Sequence, residues 1–457
     1  MMNTNCIAVI LAAGEGKRMK SATPKVLHQA AGKALAQWVV DAASQATGQK
    51  AVLVIGKNAD AVKDYFADSV FYAVQEQPLG SGHAVMAAKD YLTGDGYALV
   101  VAGDMPLIQA ETLSALVNKT AEEKLGACLL TAVVDDATGY GRIVRGNDGS
   151  VSCIVEHKDA TEPQRKIREI NLSVYCFSLP LLRDALKCLQ PNNVQGEYYL
   201  TDCIEYISKA GHRIEAVNCG NTDECIGVND RVQLADAAAK LRCRINRNLM
   251  LSGVTIIDPD STYIDAGVSI GQDAVVYPGV TLEGKTIIGE GAVLYPGSRI
   301  ADSTIGALTK VQNSVVLNSS VGENSTIGPY AYLRPGSIVG NGCRVGDFVE
   351  VKNSVIRDGA KVSHLSYIGD GEIGEKSNIG CGVVFVNYDG KKKSKTIVGK
   401  NAFVGCNANL VAPVTVGDGA YIAAGSTVTK DVQEDALCIA RSRQTVIEGW
   451  AKARRGE

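Results

Sequence analysis

The chain has 457 residues, a net charge of −3 and the hydrophobic fraction of an ordinary globular protein. That length exceeds a single core and implies two or three domains, and so small a charge gives no reason to expect a nucleic-acid or membrane-surface partner. Thirteen cysteines, odd in number and without a C-x-x-C pair, indicate neither a disulfide framework nor a zinc site, and they read as reduced thiols of a cytoplasmic protein.

Met1 to Cys6 runs straight into a strand and lacks the basic and apolar regions of a secretory leader. No uncharged apolar run reaches the ~18 residues of a membrane span. Cys6 to Ala13 is a buried-strand run broken by Gly14-Glu15-Gly16, with Lys17, Arg18 and Lys25 following. Further strand runs, Ala51 to Ile55 and Tyr97 to Ala102, end in Gly56 and in Gly103-Asp104, with helical patterns such as Gln37 to Ala46 between them. Such alternation predicts an α/β, doubly wound, mostly parallel sheet, whose ligands bind beyond the carboxyl ends of the strands. The first loop lacks the third glycine of a dinucleotide fingerprint, and no Lys-Ser/Thr closes a P-loop. It still offers backbone N–H groups beside three cations, as a polyphosphate requires, and Asp104 at a strand end suits Mg²⁺. On spacing alone, an ordinary βα turn with a helix-capping Asp is an equal reading.

From Asp230 to Met250, apolar residues Leu234, Ala238, Leu241, Ile245 and Leu249 recur at three or four, one face of a helix of about six turns. Lys240, Arg242, Arg244 and Arg247 along it read as a solvated basic face on a connecting strut. Beyond it an apolar residue returns every sixth position: Ile264, Ile270, Val276, Leu282, Ile288, Leu294 and Ile300. The count slips by one around Ile305, Val311, Val316 and Val321. It resumes at Ile327, Leu333, Val339, Val345 and Val351, and after an irregular stretch at Val398, Val404, Leu410, Val416, Ile422 and Val428. Only a hexapeptide parallel β-helix has this period, three hexapeptides to a triangular coil, with Gly or Asn at the corners. Two features interrupt it: the basic segment Asn387-Tyr388-Asp389-Gly390 to Lys395, which should project as a loop, and His364. Near them Arg334, Glu350, Lys352, Tyr367 and Asn378 fall on successive coils, and the whole set is expected near one face. Arg334 and Lys352 would grip a phosphate, and His364 would serve as a general base near neutral pH.

Several of these segments resemble the signature of sugar-1-phosphate nucleotidyltransferases. They are Leu11 to Met19 with Pro24-Lys25, Gln75 to Ala84, Gly103 to Leu107, Thr138 to Ile143, Val155 to Asp159, Glu169 to Asn171, Gln195 to Tyr199 and Gly227 to Asn229. In this order and followed by hexapeptides, they resemble the bifunctional family that fuses an N-acetylglucosamine-1-phosphate uridylyltransferase to a glucosamine-1-phosphate acetyltransferase. The resemblance covers nearly the whole chain. It implies a Rossmann-like nucleotidyltransferase domain over 1–229, a helical linker over 230–250 and a left-handed parallel β-helix acetyltransferase over 251–457. It implies acetyl transfer from acetyl-CoA to glucosamine 1-phosphate, then uridylyl transfer from UTP to the product, feeding cell-wall precursors.

By the same resemblance, Leu11, Ala12, Ala13, Gly14, Gln75, Gly80 and Ser81 line the uridine pocket, with Ala102 and Gly103 beside it. Gly141, Glu156 and Asn171 hold the N-acetylglucosamine moiety, Asp104 and Asn229 ligate Mg²⁺, and Lys25 and Arg18 meet the phosphates. An attack of one anion on another needs positioning and charge neutralisation, and no protein nucleophile. In the second half, His364 removes the amine proton, Asn387 orients the amine or tetrahedral intermediate, and Arg334, Lys352, Tyr367 and Asn378 bind the sugar phosphate. Cys381, Asn387, Tyr388, Cys406, Ala424 and Arg441 line the acetyl-CoA groove. Although Cys381 and Cys406 lie near a thioester, direct aminolysis needs no thiol carrier. The tail Trp450 to Arg455 either meets CoA phosphates or is simply solvated. The resemblance implies a homotrimer through the β-helix, with Arg334 or Arg441 acting across an interface. Two alternatives are a single-function nucleotidyltransferase whose β-helix only oligomerises, and a non-catalytic scaffold. The loop with His364 opposes the first, and the intact Lys25, Asp104, Asn229 and His364 oppose the second.

Overall fold

The computed structural model describes residues 5–456, so the leader reading at Met1 to Thr4 lies outside the described residues. Contacts divide the chain into two compact units, Met1–Leu241 and Arg242–Glu457. In the first unit, β1 (Cys6–Leu11), β2 (Val52–Gly56), β3 (Phe71–Gln75) and β4 (Tyr97–Ala102) run parallel in the order β4-β1-β2-β3. Beyond β4 the sheet continues through β5 (Ala127–Val133), β6 (Arg142–Arg145), β7 (Val151–Val155), β8 (Glu169–Ser178) and β9 (Ile214–Asn218). There β8 inserts antiparallel between β4 and β5, and β9 lies parallel to β5. The β6–β7 hairpin hangs from β8. The expected parallel sheet is thus mixed in its second half.

Successive strand residues feed two different cores, the period-two logic of a sheet covered on both faces. Ala8, Ile10, Leu99 and Val101 join one apolar cluster, while Val9, Ala98 and Val100 join the other. Helices α1 (Leu35–Thr47), α2 (Ser81–Ala87), α3 (Ala110–Glu122), α4 (Leu179–Cys188) and α5 (Asp202–Lys209) supply the covering layers.

Helix α6 (Arg231–Leu251) spans the boundary between the units. Leu234, Ala237, Ala238 and Leu241 pack with Leu35 and Val228 of the first unit, and Ile245 and Leu249 pack against the core of the second. Its basic residues are less free than a solvated face implies. Lys240 pairs with Asp223 at 2.5 Å, and the Arg242 guanidinium lies 4.7 Å over the Tyr263 ring.

The second unit is a parallel β-helix with three faces. Among the described residues the first face runs in eleven strands from Thr255–Ile256 to Leu437–Cys438, the second in ten from Tyr263–Ile264 to Thr427–Val428, and the third in nine from Ser269–Ile270 to Val414–Val416. Every inward position named from the sequence is buried except Ile270, which is partly covered. The irregular stretch does not break the stack, because Ile356, Val362, Ile368, Ile373, Ile379 and Phe385 carry it through. The slips have a local cause. Steps of five residues, such as Ile300 to Ile305, Val311 to Val316, Val351 to Ile356 and Ile368 to Ile373, turn on Asp302, Asn313, Asn353 and Asp370, all at positive φ. A short polar side chain tolerates that conformation, so the corner tightens by one residue and the inward face is kept.

Candidate active sites

At the carboxyl edge of the first sheet, Leu11 pairs with Ala102, so Ala12 to Gly14 and Gly103-Asp104 leave the sheet side by side. The Lys25 ammonium donates to Asp104 Oδ2 and, at 2.8 Å, to Asn229 Oδ1. Arg18 donates to the same Asn229 oxygen at 2.9 Å. Residues up to 211 positions apart in the chain thus meet at one point. One glycine makes the approach possible. Gly16 sits at φ 62°, and a Cβ there would come within 2.5 Å of the Lys25 Cβ. A Cβ on Gly227 would stand 3.4 Å from the Asp104 carboxylate, in ordinary contact, while the Val228 N–H donates to the Asp104 carbonyl at 2.8 Å. The two oxygens converge on one cationic nitrogen and are hard donors, so the pair fits Mg²⁺, which takes few protein ligands beside substrate phosphates.

A cleft of about 510 Å³ opens beside this cluster, lined by Ala12, Ala13, Gly14, Ser21 to Pro24, Gly56 and Gln75. Gln75 Nε2 donates to the Gly80 carbonyl at 3.1 Å, and Ser81 Oγ accepts the Leu200 N–H at 3.0 Å. Gly80 holds φ 108° with the Tyr198 carbonyl 2.6 Å from where a Cβ would stand, which locks the Gln195 to Tyr199 segment against the start of α2.

Gly141, Glu156 and Asn171 meet as a second group, since a Cβ on Gly141 would be 3.5 Å from both Asn171 and Glu156. Glu156 borders a cavity of about 150 Å³ shared with Gly139, His157, Lys158, Gln195 and Tyr199. Burial pushes the Glu156 carboxyl up, partly offset by a hydrogen bond from Thr201. Asn171 is held from both ends of its amide: it donates to the Tyr175 hydroxyl at 2.6 Å and accepts from the Ser173 N–H at 3.1 Å.

In the β-helix the sequence expectation of one face is corrected, because the residues divide between two edges. Arg334 and Lys352 stack in register on the second face, Glu350 stacks with Tyr367 beside them, and Asp370 and Asn387 close the corner toward the third face. Arg334 pairs with Glu350 at 2.8 Å. Asp370 is a hub that takes Lys352 at 3.1 Å, Asn353 at 2.8 Å and Asn387 at 2.5 Å. Burial raises its carboxyl, but those donors outweigh it and hold it below the usual range. Lys393, from the projecting loop, is pushed down by the neighbouring Lys352 ammonium and, more weakly, by Arg334. Three cations thus lie together here, two of them paired, Arg334 with Glu350 and Lys352 with Asp370. The loop itself is ordered by Asp389, which accepts the Lys391 and Lys392 N–H groups at 2.8 Å each, and by Tyr388, whose hydroxyl donates to the Gly390 carbonyl.

The opposite corner of the second face carries His364, half-exposed, its Nδ1 2.6 Å from Asp347 Oδ1. Continued register stacks Cys381, Cys406 and Ala424 on the following coils, while Asn378 lies on the first face, in register with Lys361. Arg441 is exposed, its Cδ 3.7 Å from where a Cβ on Gly425 would stand. The strand Tyr367–Gly369 separates this corner from the cation cluster, so one copy of the chain does not bring His364 and Asn387 together.

Sequence reasoning missed Asp347, Asp370, Lys393 and Thr201. The first two carried a signal: Asp347 lies 17 residues before His364, and Asp370 17 before Asn387, one coil in each case.

A nucleotide-binding sheet edge and a repeat-built groove define a nucleotidyltransferase joined to a hexapeptide-repeat transferase. Accordingly, residues 8–149 match the MobA-like NTP transferase domain, and residues 267–302, 318–353 and 395–430 match the bacterial transferase hexapeptide (six repeats). The chain is 54% identical to the bifunctional protein GlmU of Acetivibrio thermocellus, over 97% of this chain and 96% of that protein. It is 53% identical to the protein of that name from Caldanaerobacter subterraneus subsp. tengcongensis and 50% identical to that of Clostridioides difficile, each over 98% of both chains. The chain belongs to the GlmU family. It is a bifunctional enzyme of UDP-N-acetylglucosamine synthesis, its nucleotidyltransferase part fitting uridylyl transfer and its hexapeptide part acetyl transfer. No helix among the described residues is long and apolar enough to cross a membrane.

Proposed function

We propose that residues 1–229 carry uridylyl transfer, 230–250 connect, and 251–457 carry acetyl transfer, with the site residues acting as follows. The sugar 1-phosphate oxygen attacks the α-phosphorus of UTP, forming one P–O bond as the bond to pyrophosphate breaks. Lys25 and Arg18 neutralise phosphate oxygens while Gln75, Gly80 and Ser81 seat the base and Glu156 with Asn171 orients the sugar. Asp104 and Asn229 would hold Mg²⁺, which supplies charge neutralisation of the polyphosphate when bound. The meeting of Lys25, Asp104 and Asn229 from distant parts of the chain is the observation that carries this reading.

At the β-helix, Arg334, Lys352 and Lys393 take the phosphate of glucosamine 1-phosphate, and Tyr367 and Asn378 contact the sugar. His364 Nε2 receives the amine proton, Asn387 orients the tetrahedral intermediate, and Cys381, Tyr388, Cys406, Ala424 and Arg441 border acetyl-CoA. The enzyme works in the cytosol as a homotrimer. Support comes from an apolar ladder beside His364: exposed Tyr330 and Phe348 stack at 5.3 Å, with exposed Leu365 next in register. A second copy covering that edge would set its own cation cluster opposite His364, which explains why one chain separates the two groups. The test is thiol release from acetyl-CoA with glucosamine 1-phosphate, and pyrophosphate release from UTP across several sugar phosphates. If glucosamine 1-phosphate releases no thiol, the β-helix only oligomerises the nucleotidyltransferase.

A further inference from the structure

His364 closes the strand Lys361–His364, and Asp347 closes Arg344–Asp347 one coil earlier, directly paired with it. Their side chains meet at 2.6 Å through His364 Nδ1. An ionised carboxylate only accepts hydrogen bonds, so Nδ1 must carry the proton, leaving the lone pair on Nε2. The hydrogen bond from His364 holds the Asp347 carboxyl below the usual range, so it stays ionised wherever the imidazole is a useful base.

We propose that Asp347 is a positioning residue for acetyl transfer, fixing the His364 tautomer and steadying the imidazolium that forms during the reaction. This rests on the reading of His364 as the base. As the amine nitrogen bonds to the thioester carbon, its proton passes to Nε2 and the imidazole becomes cationic beside the Asp347 carboxylate. When the C–S bond breaks, that proton goes to the departing CoA sulfur and the ring returns to its neutral form. Other charged or titratable groups near the pair are few. Arg344 lies on the strand of Asp347, Lys361 on the strand of His364, and Cys381 stacks on His364 from the next coil. Both partners are part-exposed, so the pair contributes little to folding. Its effect is expected in the rate.

The experiment measures both activities of the full-length chain with Asp347→Ala and Asp347→Asn. Asp347→Ala should lower the acetyl-transfer kcat by ~10- to 100-fold, the size expected for a misaligned base, with KM for glucosamine 1-phosphate and uridylyl transfer unchanged. Asp347→Asn keeps an acceptor oxygen for Nδ1–H but loses the charge. It should recover most of the rate, while the acid limb of the kcat/KM profile moves to lower pH because the imidazolium has lost its counter-charge. An unchanged kcat in Asp347→Ala, or equal losses in both variants with an unmoved acid limb, overturns the proposal. If His364→Ala keeps acetyl transfer, the base assignment itself fails, a result distinct from either Asp347 outcome.

Discussion

The two candidate sites are assembled in opposite ways. At the sheet edge, Lys25 reaches Asp104 and Asn229 across separations of 79 and 204 residues, so the site exists only once the whole unit has folded. Along the β-helix, functional contacts recur at the length of one coil: Asp347 to His364, Lys352 to Asp370 and Asp370 to Asn387 are 17 or 18 residues apart. A repeat fold builds its site by register between neighbours, and a doubly wound sheet builds its site by converging loops. The converging loops concentrate charge at one point, while the repeat spreads it over separate edges.

The sharpest way to break that comparison is to remove one charge from each site. Asp104→Ala should lower uridylyl transfer by about 10³-fold, as for loss of a preorganised electrostatic group, and leave acetyl transfer unchanged. His364→Ala should cost acetyl transfer ~10² to 10⁴-fold, the range of a lost general base, and spare pyrophosphate release. Loss of both activities from one folded variant would show that the sites are coupled. Packing should be equally local. Phe385→Ala empties a fully buried position whose ring lies 2.6 Å from where a Cβ on Gly371 would stand. It should cost ~3 to 5 kcal/mol, seen as a lowered unfolding transition of the β-helix with uridylyl transfer retained. Gly80→Ala tests convergence instead. At φ 108° and against the Tyr198 carbonyl, it should cost ~1 to 3 kcal/mol and weaken UTP binding more than acetyl transfer.

The smallest effect is electrostatic. Burial, helped by Glu205 and Asp159, pushes the Asp202 carboxyl up to about 6. A raised carboxyl binds its proton more tightly when folded, so stability falls as pH rises from the ordinary 3.8 toward 6 and stays lowered above it. Asp202→Asn should therefore stabilise the first unit at pH 7 to 8, by on the order of 1 kcal/mol after discounting for partial exposure. The gain should vanish near pH 4, as followed by thermal unfolding across pH.

The amino-acid sequence by itself determined the β-helix and its inward residues on either side of the stretch from Val351 to Val398, where only the structure showed that Ile356, Val362, Ile368, Ile373, Ile379 and Phe385 continue the stack. Its six-residue return states which side chains face inward, and Asp or Asn corners such as Asp302, Asn313 and Asn318 absorb the slips. Strands β1 and β4 and helix α6 were equally legible, being local patterns of burial. Tertiary structure alone decided the antiparallel insertion of β8, since strand direction follows from the connections around it and leaves no mark on local periodicity. It alone decided that Lys25 serves Asp104 and Asn229 together, and that His364 faces a different edge from Asn387. Side-chain direction at a corner depends on which coil lies above and below, and that register is a property of the stacked fold.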